Sequence, residues 1–300
     1  MRILVLRALG LGDLLTAVPA LRGLRAAFPR AEITLAAPAW LADAVARIGA
    51  VDRLLPTEAL APIDFREPDL AVNLHGRGPQ SVERLLATEP RRLITYADHA
   101  RPGDRVPAIA WPADRHEVLR WCDLLRRHGI RCDPDDFRLA PAGPRTGRIV
   151  IHPGASTGAR RWPPQRYAAV ARALGSEVVV TAGPGEQELA RQVGPDVFTG
   201  TLAELMDLVA TARLVLCGDT GVAHVATAYR TPSVLLFGPV PPRLWGPRRG
   251  PHRALWHGGT GDTFAEEPDP GLLEITVEEV LDAVGGALCE SVSSERATSV

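Results

Sequence analysis

The sequence predicts an α/β protein built from two doubly wound, nucleotide-type domains facing one another, and three observations carry that expectation. A glycine-containing turn, Leu9-Gly10-Leu11-Gly12-Asp13, follows an apolar strand and precedes a helix near the N-terminus, and Gly218-Asp219-Thr220-Gly221 repeats the arrangement far down the chain. Short apolar strands alternate with segments of helical period along most of the length, which implies parallel sheets covered by helices. The alternation lapses over Cys132 to Thr146, a proline-rich stretch of little periodicity, which places a linker between domains of residues 1–140 and 147–288.

In the first domain Ile3 to Leu6 is an apolar run of buried-strand type, and Leu14 to Phe28 follows with helical spacing, kinked at Pro19. Glu32 to Ala36 reads as strand, Ala39 to Ile48 as helix, Leu70 to Leu74 as strand, Val82 to Ala87 as helix and Arg92 to Thr95 as strand. A helix at about Arg115 to His128 closes the domain. The pattern restarts with strand at Ile149 to His152, helix at Pro164 to Leu174, strand at Glu177 to Thr181 and helix at Gly185 to Val193. Helix at Leu202 to Thr211, strand at Leu214 to Cys217, helix at Val222 to Ala228 and strand at Ser233 to Phe237 complete it. Thr276 to Leu288 is the final helix, and residues 289–300 read as a frayed, disordered polar tail.

Composition bounds the function. The chain of 300 residues is 46% hydrophobic and 23% charged, enough for two buried cores. Its formal net charge of −1 offers no bulk attraction to nucleic acid or an anionic membrane. Every basic side chain other than histidine is an arginine, for which a GC-rich genome is sufficient cause. The four cysteines, Cys122, Cys132, Cys217 and Cys289, form no C-x-x-C pair and join no histidine at ligand spacing, which fits a reduced, cytoplasmic setting without a bound metal. No stretch approaches the ~20 apolar residues needed to span a bilayer.

The chemistry gathers at the turns. A helix starting near Gly221 aims backbone N–H groups and a partial positive charge at one point, and Thr220 and His224, four apart, share a face. This suits a diphosphate, the more so at the carboxyl end of a strand, where open α/β sheets bind ligands. The plain structural alternative makes Asp219 or Thr220 an N-cap and His224 a surface histidine. After the strand at Ile149, Pro153-Gly154-Ala155-Ser156-Thr157-Gly158-Ala159-Arg160-Arg161-Trp162-Pro163 supplies a loop that can approach phosphate closely. Either Arg160 or Arg161 offers it a two-pronged contact. Otherwise those arginines are a solvated pair and Trp162 is core. Glu186, after the Gly183-Pro184-Gly185 turn, either accepts hydrogen bonds from ribose hydroxyls or is an exposed first-turn glutamate. Asp13, beside Gly10 and Gly12, is either an N-cap or a general base.

Together these motifs resemble glycosyltransferase family 9, the group that includes the bacterial heptosyltransferases. The resemblance covers most of the chain: Gly10 to Asp13, Pro153 to Ser156 with Arg161-Trp162-Pro163, Asp219-Thr220-Gly221 with His224, Leu236-Phe237-Gly238-Pro239 and Trp245-Gly246-Pro247. It implies a GT-B architecture of two Rossmann-like domains across a cleft, with the acceptor on the first and the nucleotide sugar on the second. It also implies an inverting transfer that needs no metal or cofactor, from an ADP-linked heptose to a glycan, glycolipid or small-molecule hydroxyl, at the cytoplasmic face of the membrane. By the same likeness Asp13 is the base, and Gly154, Ser156, Asp219, Thr220, Gly221 and His224 hold the donor. Arg160 stands where the family often has lysine, and Glu186 lies near the ribose. Acceptor contacts fall on Gly10, Gly12 and loops such as His75 to Gln80 and Tyr96 to Arg105.

Other classes leave traces that fit less well. Gly154-Ala155-Ser156-Thr157-Gly158 satisfies G-x-S-x-G, and Ser156, Asp219 and His224 follow the chain order of α/β-hydrolases, but paired arginines and prolines stand where the elbow should enter its helix. A dinucleotide fingerprint would need glycine in place of Leu15. Asp-Thr-Gly also marks aspartic proteases, in a β-rich fold. Asp133-Pro134-Asp135, a metal-binding pattern in other transferases, lies in the linker. A non-catalytic sugar-nucleotide binding protein would keep the donor cluster and have no use for Asp13.

Overall fold

A computed structural model describes residues 1–97, 109–140 and 143–298. The chain divides into two compact units, Met1–Phe137 and Arg138–Val300.

The first unit runs β1 (Arg2–Leu6), α1 (Leu11–Thr16), α2 (Val18–Ala27), β2 (Glu32–Ala37), α3 (Ala42–Ile48), β3 (Arg53–Pro56), β4 (Leu70–Asn73), α4 (Gln80–Leu86), β5 (Leu93–Ile94) and α5 (Glu117–Arg126). Its five strands form a parallel sheet in the order β3-β2-β1-β4-β5. Ile3, Leu4, Val5 and Leu6 of β1 are fully buried, as expected of a central parallel strand covered on both faces. The winding reverses between β1 and β4, where Leu6 lies beside Asn73, so the chain leaves both strands side by side. The single kinked helix expected from Leu14 to Phe28 is two helices broken at Ala17. Pro19 falls in the first turn of α2, where its missing N–H costs no helical bond, and no kink is needed.

The second unit runs β6 (Ile149–His152), α6 (Pro164–Leu174), β7 (Val178–Thr181), α7 (Gln187–Val193), β8 (Val197–Phe198), α8 (Leu202–Thr211), β9 (Leu214–Gly218), α9 (Gly221–Tyr229), β10 (Ser233–Leu236), α10 (Pro242–Trp245), β11 (His252–Leu255), α11 (Pro270–Glu274) and α12 (Val277–Thr298). All six strands are parallel in the order β11-β10-β9-β6-β7-β8, the Rossmann winding read from β8. Here the switch point lies between β6 and β9. Trp162, Tyr167 and Val170 pack with Leu216, Leu236, Ile275 and Val284 to form the core. Trp162 meets Tyr167 edge-on at 4.9 Å, and its indole N–H donates to the Ile275 carbonyl at 3.0 Å.

The last helix does not stop at Leu288, and the tail expected over 289–300 is helical as far as Thr298. Residues 289–298 contain neither glycine nor proline, so nothing in them ends a helix once α12 has docked. Strands β3, β8 and β11 lie at or next to sheet edges and carry two to four residues each, too few to show a period. Among the described residues no helix is long and apolar enough to cross a membrane.

Candidate active site

In the second unit the loops that leave β6 and β9 flank the switch point. Gly218 ends β9 so close to its neighbour that a Cβ there would lie 3.0 Å from the Arg160 carbonyl, which brings the two loops into contact. Thr220 occupies the N-cap of α9 with extended backbone, and its hydroxyl makes no capping bond into the helix. The first backbone bond runs from Ala223 N–H to the Thr220 carbonyl at 3.0 Å, so the N–H groups of Gly221 and Val222 precede the helical ladder. They supply the positive end of α9. Asp219 is buried, its own N–H donates to the Leu236 carbonyl at 3.1 Å, and its carboxylate lies 3.3 Å from the Arg160 guanidinium. The plain capping role is therefore not taken by Thr220.

The two adjacent arginines have different jobs. Arg161 donates Nε and Nη2 to the Ala155 carbonyl at 3.1 and 2.9 Å, closing the loop upon itself. Arg160 instead reaches Asp219 and is a quarter exposed. His224, one turn into α9, stands edge-on to Trp245 with centroids 6.0 Å apart.

Glu186 sits at the N-cap of α7 and accepts the Gly183 N–H at 2.9 Å, so it is a turn-closing carboxylate rather than an exposed first-turn one. It also lies against the β6 loop: a Cβ on Gly154 would come within 2.0 Å of it. His152, the last residue of β6, approaches the same carboxylate at 4.0 Å and hydrogen-bonds the Thr181 hydroxyl at 3.0 Å. Burial pushes the His152 pKa down, with Glu186 and Thr181 opposing. Ser156 is exposed in a loop that passes through a turn at Gly158–Arg160 and reaches α6 only at Pro164. This is no nucleophile elbow.

Residues 263–269 form a strap over this loop that the sequence did not reveal. The Thr157 hydroxyl donates to the Thr263 carbonyl at 2.8 Å, Ala159 N–H to Ala265 at 2.9 Å and Asp269 N–H to Ala159 at 3.1 Å. Phe264 on the strap is, among the described residues, the most exposed of the large apolar side chains.

In the first unit Asp13 is the third residue of α1, whose N-cap is Gly10, so it is not the cap. Arg7, just after β1, is 1% exposed and reaches the Asp13 carboxylate at 3.3 Å and its carbonyl at 3.0 Å. The same guanidinium bonds the Thr16 hydroxyl at 3.2 Å, the Glu117 carboxylate at 2.9 Å and the Leu74 carbonyl. It lies 4.9 Å over the Trp121 ring. Asn73 ends β4 and bonds Gly76, Ser81, Thr95 and the His75 N–H, fixing the loop that bears His75. Burial, with Arg7 nearby, lowers the His75 pKa to about 4. Of the other acceptor loop, residues 98–105 lie outside the described residues. Asp133 turns back to accept the Asp135 N–H at 3.0 Å, an ordinary loop closure.

Comparison with known proteins adds the deciding observation: the family model described as glycosyltransferase family 9 (heptosyltransferase) matches residues 108–265. The chain belongs to glycosyltransferase family 9. Lipopolysaccharide heptosyltransferase 2 of Salmonella typhimurium is 24% identical over 97% of this chain and 99% of its own length. Among solved structures, the Escherichia coli ADP-heptose lps heptosyltransferase II shares the fold at a TM-score of 0.75 and 22% identity, over 97% of this chain and 99% of that one. The dodecameric iron-containing heptosyltransferase TibC, in complex with ADP-D-beta-D-heptose, matches at 0.62 and 15%, over 95% and 75%.

Of the residues singled out in the sequence, the structure of this family 9 glycosyltransferase brings Gly154 to Glu186 and Arg160 to Asp219, with Thr220 and Gly221 opening α9 next to that pair. Gly10 and Asp13 share the first turn of α1, and Gly12 lies between them in the same helix. Arg7, Glu117 and His152 were missed as site residues. The only local signal was a charged or titratable side chain at the very end of a buried strand, as at Arg7 and His152.

Proposed function

We propose that this glycosyltransferase moves a heptose from an ADP-linked donor to a hydroxyl of a lipopolysaccharide-type glycan, with inversion and without a metal ion. Donor and acceptor classes follow those named for the relatives of similar length. The observation that carries the reading is the convergence, at the β6/β9 switch point, of the first N–H groups of α9 with the Arg160 guanidinium. As the anomeric C–O bond breaks, its electron pair passes to the diphosphate, and preorganised N–H groups with a guanidinium stabilise that charge more than the ground state. The same donors do the work that a cation would do. Thr220, Gly221 and His224 are the phosphate contacts. Asp219 contributes through Arg160, since a carboxylate offers phosphate no donor and its N–H is spent on Leu236. Gly154 and Glu186 lie on the ribose side, and Ser156 in the loop above.

The acceptor half belongs to Asp13. Its carboxylate takes the proton from the acceptor hydroxyl while that oxygen bonds to the anomeric carbon, a contribution of about 10²–10⁴ in rate. Gly10, Gly12 and the loop from His75 line the acceptor side. Such chemistry places the protein in the cytoplasm, at the membrane face where a glycolipid acceptor is presented.

The test is incubation with ADP-heptose and deacylated lipopolysaccharide core, followed by mass spectrometry of the product and NMR of its anomeric configuration. Addition of one heptose with inversion, insensitive to chelator, is the expected result. A retained configuration, or activity lost to chelator and restored by iron, would reject the corresponding part. Nucleotide binding without turnover even in the parent chain would make it a binding protein.

A further inference from the structure

We infer that Arg7 is the positioning residue for Asp13: its guanidinium fixes the carboxylate's orientation and keeps it ionised. The inference rests on Asp13 being the base. Three features of the site carry it. First, Arg7 is almost wholly buried, and its planar fork, carried just past β1, is divided among three segments: α1 at Asp13 and Thr16, the end of β4 at Leu74, and the start of α5 at Glu117. A rigid fork held at several points leaves little freedom to the carboxylate it grips. Second, the Asp13 oxygens are distinguished. Oδ1 is the one Arg7 holds, and Oδ2 lies on the Gly10 side, 3.6 Å from where a Cβ on that glycine would stand. A proton on Oδ1 would oppose the Arg7 donor, so the incoming proton goes to Oδ2.

Third, the Arg7 guanidinium 3.3 Å away favours the ionised form of Asp13. Among the described residues, the groups about Arg7 and Asp13 include Glu117 and Arg120 from α5, the neutral His75 after β4 and the Thr16 hydroxyl. Glu117 is shared between Arg7 and Arg120, and also accepts the Trp121 indole N–H at 2.8 Å. Among the described residues, both arginines share Glu117 beside Trp111 and Trp121, whose rings lie under Arg120 and Arg7 at 4.3 and 4.9 Å. The Asp13 carboxylate is a second anion within reach of the Arg7 fork, at 3.3 Å.

Arg7→Lys keeps the charge and loses the fork, whereas Arg7→Met loses both. With ADP-heptose and deacylated core, Arg7→Lys is expected to lower kcat by about 10²-fold with little change in either KM, as a misplaced base does. Arg7→Met should also move the acid limb of kcat/KM upward by about one pH unit, because an ion partner has gone. Should Arg7→Met fail to fold, Glu117→Gln serves in its place, and its limb should move downward because an acidic neighbour is lost. Asp13→Asn separates the two claims. If it retains turnover, the base is elsewhere; if it is inactive while Arg7→Lys keeps kcat within about threefold and the limb of Arg7→Met or Glu117→Gln stays where the parent's lies, Asp13 acts without Arg7 and the inference is overturned.

Discussion

The Arg160 guanidinium lies 3.3 Å from the Asp219 carboxylate, tying the loop after β6 to the loop after β9 at the point where the sheet's winding reverses. Asp219 is 6% exposed, so this contact compensates a carboxylate that water barely reaches. It also fixes the guanidinium beside the start of α9. Arg160→Met should therefore weaken ADP binding by about ten- to a hundredfold, the effect of one charged hydrogen-bond partner, as read by calorimetry. An unchanged Kd for ADP would remove Arg160 from the donor site.

Arg161 gives a contrasting case. Its two bonds to the Ala155 carbonyl fold the loop without facing Asp219. Arg161→Ala should cost roughly 1–2 kcal/mol of unfolding free energy in a denaturant titration. Its effect on ADP affinity should be smaller than that of Arg160→Met; the reverse order would exchange the two roles.

Gly158 and Gly285 separate close packing from helix propensity. A Cβ on Gly158 would fall 1.4 Å from the Glu266 carbonyl, so alanine there must push the strap over residues 263–269 away. Gly158→Ala should lower stability by about 1–3 kcal/mol. Around Gly285, inside α12, a Cβ meets nothing within 4 Å. Gly285→Ala should raise stability by about 0.5–1 kcal/mol, through lower chain entropy in the unfolded state. Paired calorimetric scans check both, and equal shifts in Tm would contradict the packing described for the strap.

Acid should weaken the fold before its carboxylates titrate. His75 and His252 both have their pKa pulled by burial from 6.5 to about 4, and His152 is lowered as well. Between those values the unfolded chain binds protons that the folded chain refuses, so stability is full above about pH 6.5 and falls as the pH drops toward 4. Tm should decline steadily from pH 7 to 5. His252→Gln, which retains a polar group for the Ser233 hydroxyl now 2.8 Å from the imidazole, should make that decline shallower. A flat parent profile would show that these imidazoles take up protons in the folded chain.

The periodicities that the chain carries locally were enough to place most central strands and the turns that follow them. Ile149–His152, Pro164–Leu174 and Leu202–Thr211 lie where their spacing puts them. Short-range chemistry fixes such elements: apolar runs bury as parallel strands, proline opens a helix, and glycine allows close passage. The same locality explains the misses. The last helix outran Leu288 because nothing in 289–298, which lack glycine and proline, stops a helix already docked, and the edge strands β3, β8 and β11 gained their identity only from the neighbours they pair with.

By itself, the sequence determined two doubly wound halves, the motif turns after β1, β6 and β9, and the kinds of side chain available at each. Only the tertiary structure decided which arginine faces Asp219, that Glu186 closes its own turn against Gly154, and that Arg7 grips Asp13 and Glu117 together. Arg7 and Glu117 stand 110 residues apart. A strand or a turn is written in the torsional preferences of adjacent residues, whereas the partner of a buried charge is set by whatever the folded chain carries to it across that distance.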